Sequence, residues 1–329
     1  MALYYSRDVV KFSLLMPYYG EASSVIEALR SILFQDMHPT QIVFVDNGSS
    51  TSLEEVLSGS IEVEDLKRES VEFCILRKEI NVGLAAAYNT GLGFCKYEII
   101  VVMQPDIVLP NSSSMRTLVG AIEPADVVIV GHVNSPVADV YWHRRTLFEK
   151  AVLAPSESNR ARGFNGQFDA FRKSIAESIG GFRAADYRTA GEDGDFVRRM
   201  SKVGRFVVSE ARAEHRHNFS NKSGLNICIQ KSLQYGNALG ASARHGGGLA
   251  PLFREAVIIF GIVLIWLNPQ LTLISIGSWV IMGIRIPFLV YRRDRKLLQG
   301  LSLIAIEFLR LFAHAAGAVA GFLRGRQSV

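Results

Sequence analysis

The chain reads FSLLMPYYGEASSVIEALRSILFQDMHPTQIVFVDNG over residues 12–48, and this stretch sets the expected fold. Apolar runs at residues 12–16 and 42–45 flank a segment in which Ser24 and Glu27 have the spacing of a helix capping box. Short apolar runs without alternation are typical of strands that are buried on both faces. The order strand, helix, strand therefore predicts a parallel pair joined by a crossover helix.

The same alternation continues along the first two thirds of the chain. Further apolar runs lie at residues 71–76, 99–103 and 127–130, and helical patterns at residues 84–94 and 115–122 separate them. This pattern predicts an α/β fold with a doubly wound, mostly parallel sheet. Ligands of such sheets bind beyond the carboxyl ends of the strands, so we expect the functional residues there.

The composition excludes several classes of protein. Hydrophobic residues make up 49% and charged residues 20% of the 329 residues, which excludes a disordered or collagen-like chain. The formal net charge is +5. From Leu252 onward the chain has nine Lys or Arg and three Asp or Glu, so the net charge of the preceding part is near −1. The basic balance therefore gives no indication of nucleic-acid binding. Three isolated cysteines exclude a disulfide framework and a thiolate zinc site.

The C-terminal part of the chain is strongly apolar. A polar break at residues 268–270 divides it, and we interpret residues 251–291 as a transmembrane hairpin. Residues 271–291 are long enough to span a bilayer, whereas residues 252–267 are slightly short. The basic residues 292–296 would return to the cytosol, as expected for a multi-pass cell-membrane protein with its catalytic domain on the cytoplasmic face. A pair of buried core helices is the alternative.

Residues 224–250 and 297–323 are expected to lie at the membrane surface, in contact with membrane lipid. Glu307 and Arg310 share one face of the second segment, which is typical of an interfacial helix; a third membrane span is the alternative. The N-terminus lacks the apolar core and cleavage site of a signal peptide, so we expect residues 1–223 to stay in the cytosol.

Four polar clusters follow consecutive predicted strands and therefore point to one crevice. They are MPYYGE at 16–21, VDNGSS at 45–50, Arg77 with NVGLAAAYNTGL at 81–92, and QPDIVLP at 104–110. A carboxylate at a strand end can accept hydrogen bonds from a base or a ribose, and an arginine can bind a diphosphate. Each cluster alone is compatible with an ordinary turn, but the four in order favour a nucleotide site.

Together with GEDGDF at 191–196, these clusters resemble family 2 glycosyltransferases, which have the GT-A fold, over about residues 12–246. The resemblance implies a GT-A domain over residues 1–223, with a nucleotide-sugar half at about 10–135 and an acceptor half at about 136–223. The donor would be a nucleoside-diphosphate sugar, UDP- or GDP-linked. The residues expected at the nucleotide-sugar site are Pro17, Tyr18, Glu21, Asp46, Arg77, Asn81, Gly83, Asn89, Gln104, Asp106 and Gly166.

The DxD motif of that family falls on Gln104, Pro105 and Asp106, so glutamine replaces the first aspartate. The resemblance implies Mg²⁺ or Mn²⁺ at Asp106, since a hard cation binds carboxylate, diphosphate and water oxygens. His217 lies where relatives often supply a metal-ligating histidine, and His215 is the competing candidate. The contact that the missing aspartate would make stays open.

The acidic run resembles the acceptor-side motif of the family, in which Asp193 is the general base. A sugar hydroxyl is a poor nucleophile at neutral pH, and proton removal by a positioned base contributes about 10²–10⁴-fold in rate. Burial among neighbouring acids would raise one carboxylate pKa toward the working pH. The role of Glu192 is undecided, and Asp195 is interpreted as an acid that favours the helix dipole.

The predicted function is therefore a membrane-anchored, metal-dependent glycosyltransferase, and the family resemblance adds that it is inverting. The need for a base favours a hydroxyl of a lipid-linked sugar or a growing surface glycan over a polyprenyl phosphate, whose oxygen is already anionic. Two alternatives are a polyprenyl-phosphate sugar synthase and a catalytically silent nucleotide-sugar-binding membrane scaffold. The sequence also leaves open a homo-oligomer.

Overall fold

One mixed sheet organises the N-terminal two thirds of the chain, and the computed structural model describes residues 10–20, 22–155, 162–187, 190–216 and 224–323. The strands are β1 (Phe12–Tyr18), β2 (Gln41–Asp46), β3 (Glu72–Arg77), β4 (Ile99–Met103), β5 (Ile107–Val108), β6 (Val127–Ser135), β7 (Arg162–Gly163), β8 (Phe168–Arg172) and β9 (Arg205–His215). The five predicted strands are confirmed.

The strand order is β3-β2-β1-β4-β8-β6-β9-β5, and β7 pairs with β6. Strands β3, β2, β1 and β4 are parallel, as are β6 and β9, whereas β8 runs antiparallel to both β4 and β6. Chain order reverses between β1 and β4, and in open α/β sheets the ligand crevice lies at such a point. The expected doubly wound, mostly parallel sheet is therefore confirmed.

Helices cover both faces of the sheet and then form a separate C-terminal layer. They are α1 (Ala22–Leu33), α2 (Leu53–Leu57), α3 (Ile61–Arg68), α4 (Leu84–Leu92), α5 (Ser114–Gly120), α6 (Asp139–Arg144), α7 (Leu147–Leu153), α8 (Lys173–Ser178), α9 (Glu192–Met200), α10 (Leu225–Ser242), α11 (Phe253–Leu267), α12 (Thr272–Gly283), α13 (Arg285–Asp294) and α14 (Leu297–Leu323).

Two apolar cores sandwich the sheet, and β1 contributes to both. Leu14 and Met16 pack in the core on one face, which also holds Leu29 of α1, while Leu15 packs in the core on the other face with Tyr88 of α4. Successive side chains of a strand point to opposite faces, so a strand covered on both sides is apolar at every position. This explains why β1 is mostly apolar, and its one buried serine, Ser13, is satisfied by donating to Gln41 at 2.7 Å.

The register of the parallel strands aligns their carboxyl ends. Tyr18 at the end of β1 lies opposite Asp46 at the end of β2, and Asp46 lies opposite Arg77 at the end of β3. Three of the residues expected at the nucleotide-sugar site therefore form one row along the sheet edge.

Helices α10 and α14 run in parallel at unusually close range. Gly236 and Gly240 of α10 face α14, and Gly317 and Gly321 of α14 face α10. A Cβ atom on Gly236 would lie 2.0 Å from the carbonyl oxygen of His314, and on the other three glycines 2.1–2.3 Å from a carbonyl oxygen of the opposite helix. Only glycine permits this approach of two helix backbones.

The expected second membrane span differs from the structure because it is bent. Helices α12 and α13 meet at 46° instead of forming one helix over residues 271–291. Pro287 lies in the first turn of α13, and its ring crowds the carbonyl group four residues earlier, at Gly283, which accounts for the bend.

The C-terminal helices differ in their capacity to cross a bilayer. Helix α11 has 15 residues, fewer than the about 20 that a spanning helix needs. Among the described helices, α14 alone is long and apolar enough by itself, and the bent α12–α13 pair would count as a second span. The multi-pass arrangement stays a prediction.

Candidate active site

Asp46, at the end of β2, connects the turn after β2 with the end of β3. One of its carboxylate oxygens accepts the Ser49 N–H at 2.9 Å, and the other accepts the Leu53 N–H at 3.1 Å and the Arg77 guanidinium at 2.9 Å. Arg77 also donates to the Ser49 carbonyl at 3.1 Å. The buried carboxylate therefore shapes the turn after β2 and fixes Arg77 beside it. Its expected contact with a base or ribose stays a prediction.

The end of β1 contacts the same turn. The Tyr18 hydroxyl donates to the Gly20 carbonyl at 3.2 Å, and the Gly20 N–H donates to the Ser49 hydroxyl at 3.3 Å. Pro17 precedes Tyr18 within β1. Glu21, the remaining member of this expected cluster, lies outside the described residues.

Asn47 joins the turn after β2 to the loop after β3. Its amide donates to Asn81 Oδ1 at 3.2 Å and to the Gly83 carbonyl at 3.3 Å, and its Oδ1 accepts the Val82 N–H at 3.0 Å. Asn81 Oδ1 also accepts the Gly83 N–H at 2.9 Å. Sequence reasoning missed Asn47, although an amide directly after a strand-end acid is a residue type that links loops through backbone groups.

Tyr88 of α4 joins the expected donor side to the expected acceptor side. Its buried hydroxyl donates to the Gly166 carbonyl at 2.7 Å, and the side chain of Gln104 lies near it. Burial raises the pKa of Tyr88 well above its usual value, and the charges of Glu192 and Asp193 act in the same direction. The two motifs thus lie around one side chain, which sequence reasoning missed because Tyr88 reads as an apolar helix residue.

Asn89 clamps the turn that precedes the acidic run. Its amide donates to the Phe182 carbonyl at 2.7 Å, and its Oδ1 accepts the Phe182 N–H at 2.8 Å. The Phe182 ring stacks on Tyr88 with ring centroids 4.9 Å apart. Asn89 therefore fixes Phe182, which packs on Tyr88. Both the N–H group and the oxygen of its side-chain amide are hydrogen-bonded within the protein.

Glu192 and Asp193 begin α9 in different environments. Glu192 is buried, its Oε2 has no hydrogen-bond partner, and burial together with the charge of Asp193 raises its pKa to about 8. Asp193 is partly exposed and accepts the Gly194 N–H at 2.7 Å. Burial also raises the pKa of Asp193. The expectation that one acid of this run is shifted toward neutral pH is met most strongly by Glu192.

Asp195 is held by three arginines. It accepts hydrogen bonds from Arg183 at 3.3 Å, from Arg198 at 2.5 Å and from Arg199 at 2.7 Å. A buried carboxylate with this many charged donors is an anchor for its helix and for the preceding loop.

Asp106 contacts a histidine of β9. The antiparallel pairing of β5 with β9 brings His215 opposite Ile107, and His215 Nε2 lies 2.9 Å from Asp106 Oδ2. His217, the preferred candidate from the sequence, lies outside the described residues. Within the described ranges, no group of three or more His, Cys, Asp or Glu side chains could hold a metal ion.

A cavity of about 250 Å³ opens beside Asp106, between the start of α1 and helices α6 and α7. Arg216 lies in its wall, donates to Glu214 at 2.9 Å and to Glu27 at 3.2 Å, and covers the Tyr141 ring at 4.7 Å. The charged residues that line the cavity are Glu27, Asp106, Arg144, Arg145, Glu149 and Arg216. Both charge signs are therefore present at the edge of the crevice.

Residues 13–184 match the family model for glycosyl transferase family 2, which is just over half of the chain. The chain belongs to this family. The glycosyltransferase is 24% identical over 227 residues to an O-antigen chain rhamnosyltransferase of Salmonella typhimurium, across 64% of this chain and 68% of that protein. It is 26% identical over 211 residues to an undecaprenyl-phosphate 4-deoxy-4-formamido-L-arabinose transferase of Pseudomonas savastanoi, across 63% of this chain and 60% of that protein.

The fold of the glycosyltransferase also has a solved counterpart. A mannosyltransferase of Pyrobaculum calidifontis in complex with GDP-Man and Mn²⁺ superposes with a TM-score of 0.59 at 18% identity. The superposition covers 95% of this chain and 87% of that one. The expected GT-A fold is confirmed.

Substitution Glu192→Gln is expected to flatten the pH dependence of the stability of this glycosyltransferase. The folded state keeps the Glu192 proton up to about pH 8, whereas the ordinary glutamate pKa is 4.5. Between these two pH values the unfolded chain therefore binds fewer protons than the folded protein. The contribution of Glu192 to the free energy of unfolding is fully present below pH 4.5 and is lost as the pH rises through the folded-state pKa of about 8. Glutamine removes this loss, and denaturant unfolding at several pH values measures it.

The matched control is Glu54→Gln, which replaces an exposed glutamate in the first turn of α2. It should leave the slope of stability against pH as in the wild type. A Glu192→Gln protein with that same slope would contradict the prediction.

Proposed function

We propose that this glycosyltransferase moves a sugar from a nucleoside-diphosphate sugar to a hydroxyl group of a lipid-linked or surface-glycan acceptor. The observation that carries the proposal is the environment of Tyr88. Its hydroxyl donates to Gly166, and burial together with the charges of Glu192 and Asp193 raises its pKa. This supports one cleft in which a donor at the strand ends faces the acidic run.

The donor is expected at the carboxyl ends of β1, β2 and β3. Arg77 supplies a partly exposed guanidinium there, and the loops tied by Asn47 supply backbone at close range. The solved mannosyltransferase is a complex with GDP-Man. These observations support a UDP- or GDP-linked sugar as donor.

Asp193 is the residue that we assign as general base. It is more exposed than Glu192 and Asp195, and its raised pKa brings it closer to the working pH, where a general base is most effective. The acceptor oxygen gives its proton to Asp193 and bonds to the anomeric carbon, while the bond from that carbon to the diphosphate oxygen breaks. The family resemblance supplies the inversion at this carbon.

A divalent cation fits beside Asp106. Magnesium sites often use one or two carboxylates and complete their shell with substrate phosphates and water, so a cage made only of protein groups is not needed. Asp106 and the adjacent His215 would hold Mg²⁺ or Mn²⁺, and the uncharged side chain of Gln104 lies near Tyr88. The cation would neutralise charge on the leaving diphosphate.

The outer surface of helices α11 to α14 is the proposed membrane attachment. Trp266 at the end of α11 is 83% exposed, and Leu273 at the start of α12 is 81% exposed. Large apolar side chains exposed together in this way are typical of a surface that contacts a membrane or a partner. Helix α10 lies between this layer and the acidic run, since a Cβ on Gly191 would lie 2.8 Å from Ala238. A membrane-bound acceptor would therefore reach Asp193 beside the bilayer.

Substitution Asp193→Asn is expected to lower turnover about 10²–10⁴-fold, because the acceptor hydroxyl loses its proton acceptor. Folding should be unchanged, since the side chain is partly exposed. Turnover is measured with a nucleotide sugar and a membrane-lipid extract. The contrast is Asp195→Asn, which should destabilise the fold because three arginines lose a buried charged partner.

A second candidate function is transfer to a polyprenyl phosphate, which the similarity to the undecaprenyl-phosphate transferase of Pseudomonas savastanoi favours. Such an acceptor needs no base, because its oxygen is anionic at neutral pH. An Asp193→Asn protein that transfers sugar to polyprenyl phosphate at the wild-type rate would replace the hydroxyl acceptor with this one.

Removal of divalent cations by a chelator is expected to abolish turnover, and Mn²⁺ or Mg²⁺ should restore it. Asp106→Asn should raise the cation concentration needed, because the remaining ligands are weaker for a hard cation. Calorimetric titration of nucleoside diphosphate with and without Mn²⁺ gives an independent measure. Asp126→Asn, an exposed aspartate paired with Arg205, is the control. Full turnover in excess chelator would contradict the cation assignment.

Substitution of Trp266 and Leu273 together by glutamate is expected to weaken binding to lipid vesicles, because charge is costly below the headgroups. Flotation of the purified protein with anionic vesicles measures the bound fraction. Phe34→Glu is the matched control, since Phe34 follows α1 in the catalytic domain and is 67% exposed. Equal vesicle binding by the double variant and the control would refute attachment through this surface.

A further inference from the structure

We propose that the buried pair His132–Asp169 positions the loop beside the donor sugar, so that Asp169 is a positioning residue for the transfer reaction. The inference rests on the proposed function and deepens it. It concerns two residues of the sheet, His132 on β6 and Asp169 on β8, which directly follows the loop that carries Gly166.

The pair is fully buried and its hydrogen bonds have clear directions. His132 and Asp169 are both 0% exposed, and His132 Nδ1 lies 2.8 Å from Asp169 Oδ1. An ionised carboxylate only accepts, so Nδ1 donates the proton of this bond. Asp169 Oδ2 accepts the N–H groups of Asn165 at 2.9 Å and Gly166 at 2.7 Å. One carboxylate oxygen thus binds His132, and the other binds the backbone of the loop.

The loop at residues 164–167 is held from two sides. Asp169 binds its backbone N–H groups from within the sheet. From the other side, the Tyr88 hydroxyl donates to the Gly166 carbonyl at 2.7 Å and the Gln104 N–H donates to the Gln167 carbonyl at 2.9 Å. The loop therefore connects Asp169 with the buried Tyr88 and with Gln104, a residue expected at the nucleotide-sugar site.

The cost of the pair argues against a role in packing alone. A buried carboxylate loses its hydration, and an apolar pair of similar volume is often as stable as a buried ion pair or more so. His132 Nε2 is also buried and has no hydrogen-bond partner, which adds a further penalty. An apolar pair would avoid both costs, but it could not hold two backbone N–H groups in place.

The gain is a fixed position for Gly166 beside Tyr88. Gly166 has φ +74°, a conformation that favours glycine, so its carbonyl direction depends on the fixed loop. The charge of Asp169 also contributes to the raised pKa of Asp193, after the larger effect of burial. Displacing a reacting group by about 1 Å can lower a rate about 10²-fold, so a looser loop would slow transfer without removing the nucleotide site.

The test is Asp169→Asn in the full-length protein, with initial rates at varied nucleotide-sugar concentration. With its amide oxygen toward the loop, asparagine presents an N–H group to the Nδ1 donor of His132, and in either orientation the loop loses its charged acceptor. We expect kcat to fall about 10²-fold while KM for the donor and Kd for the nucleoside diphosphate stay unchanged. A variant with wild-type kcat per folded molecule would overturn the proposal, as would a loss seen only in KM.

Variants of His132 keep the proposal testable if Asp169→Asn does not fold. His132→Leu removes the donor to Asp169 and should lower kcat about 10-fold, through a looser loop. His132→Asn retains an N–H near the position of Nδ1 and should restore kcat, which a general packing role would not predict. Equal kcat values for His132→Leu and the wild type would overturn the proposal.

Two further proteins separate this inference from the proposed function. Asp126→Asn on the loop before β6 removes an exposed carboxylate and should behave as the wild type. Asp193→Asn is assayed in parallel. An inactive Asp193→Asn beside a fully active Asp169→Asn overturns the positioning role alone. A fully active Asp193→Asn beside a slow Asp169→Asn overturns the assigned base and leaves the positioning role supported.

Discussion

A buried carboxylate must be satisfied by nearby donors, and this constraint divides the acids of the protein by role. Asp46 is engaged by two N–H groups and Arg77, and Asp195 by three arginines. Asp169 is engaged by His132 and the loop N–H groups. These three acids are held by donors of the protein itself and fix the loops and the helix around them. Asp193 is more exposed at the start of α9, and this exposure is the basis of its proposed role as general base.

The sheet could be predicted from sequence because its signals are local. Each buried strand is a short, mostly apolar run, and the acids at the end of β2 and shortly after β4 mark the strand ends. The site was only partly predictable, since its ties join residues far apart along the chain. Tyr88 meets Gly166, and His132 meets Asp169, through contacts that no local pattern encodes. The bend before Pro287 does have a local signal, the proline itself, whereas its angle of 46° has none.

Sequence spacing was least informative where two equivalent residues compete. His215 and His217 are two positions apart, and strand alternation puts both on the same face of a continued strand. The pairing of β5 with β9 brings His215 to Asp106, while His217 lies outside the described residues. Likewise, Glu192 and Asp193 are neighbours in sequence, yet the helix start buries the first more than the second. In both cases the tertiary contacts of one residue, more than its type, determine its chemical environment.

The glycine contacts between α10 and α14 make the apolar tail inseparable from the catalytic part. Truncation before α14 would uncover the backbone of α10 along the row marked by Gly236 and Gly240, and Ser232 would lose its bond with Arg310. Because α10 also packs against Gly191 at the start of α9, the damage would extend to the acidic run. A shortened, water-soluble version of this protein would therefore lose part of the wall of its own cleft.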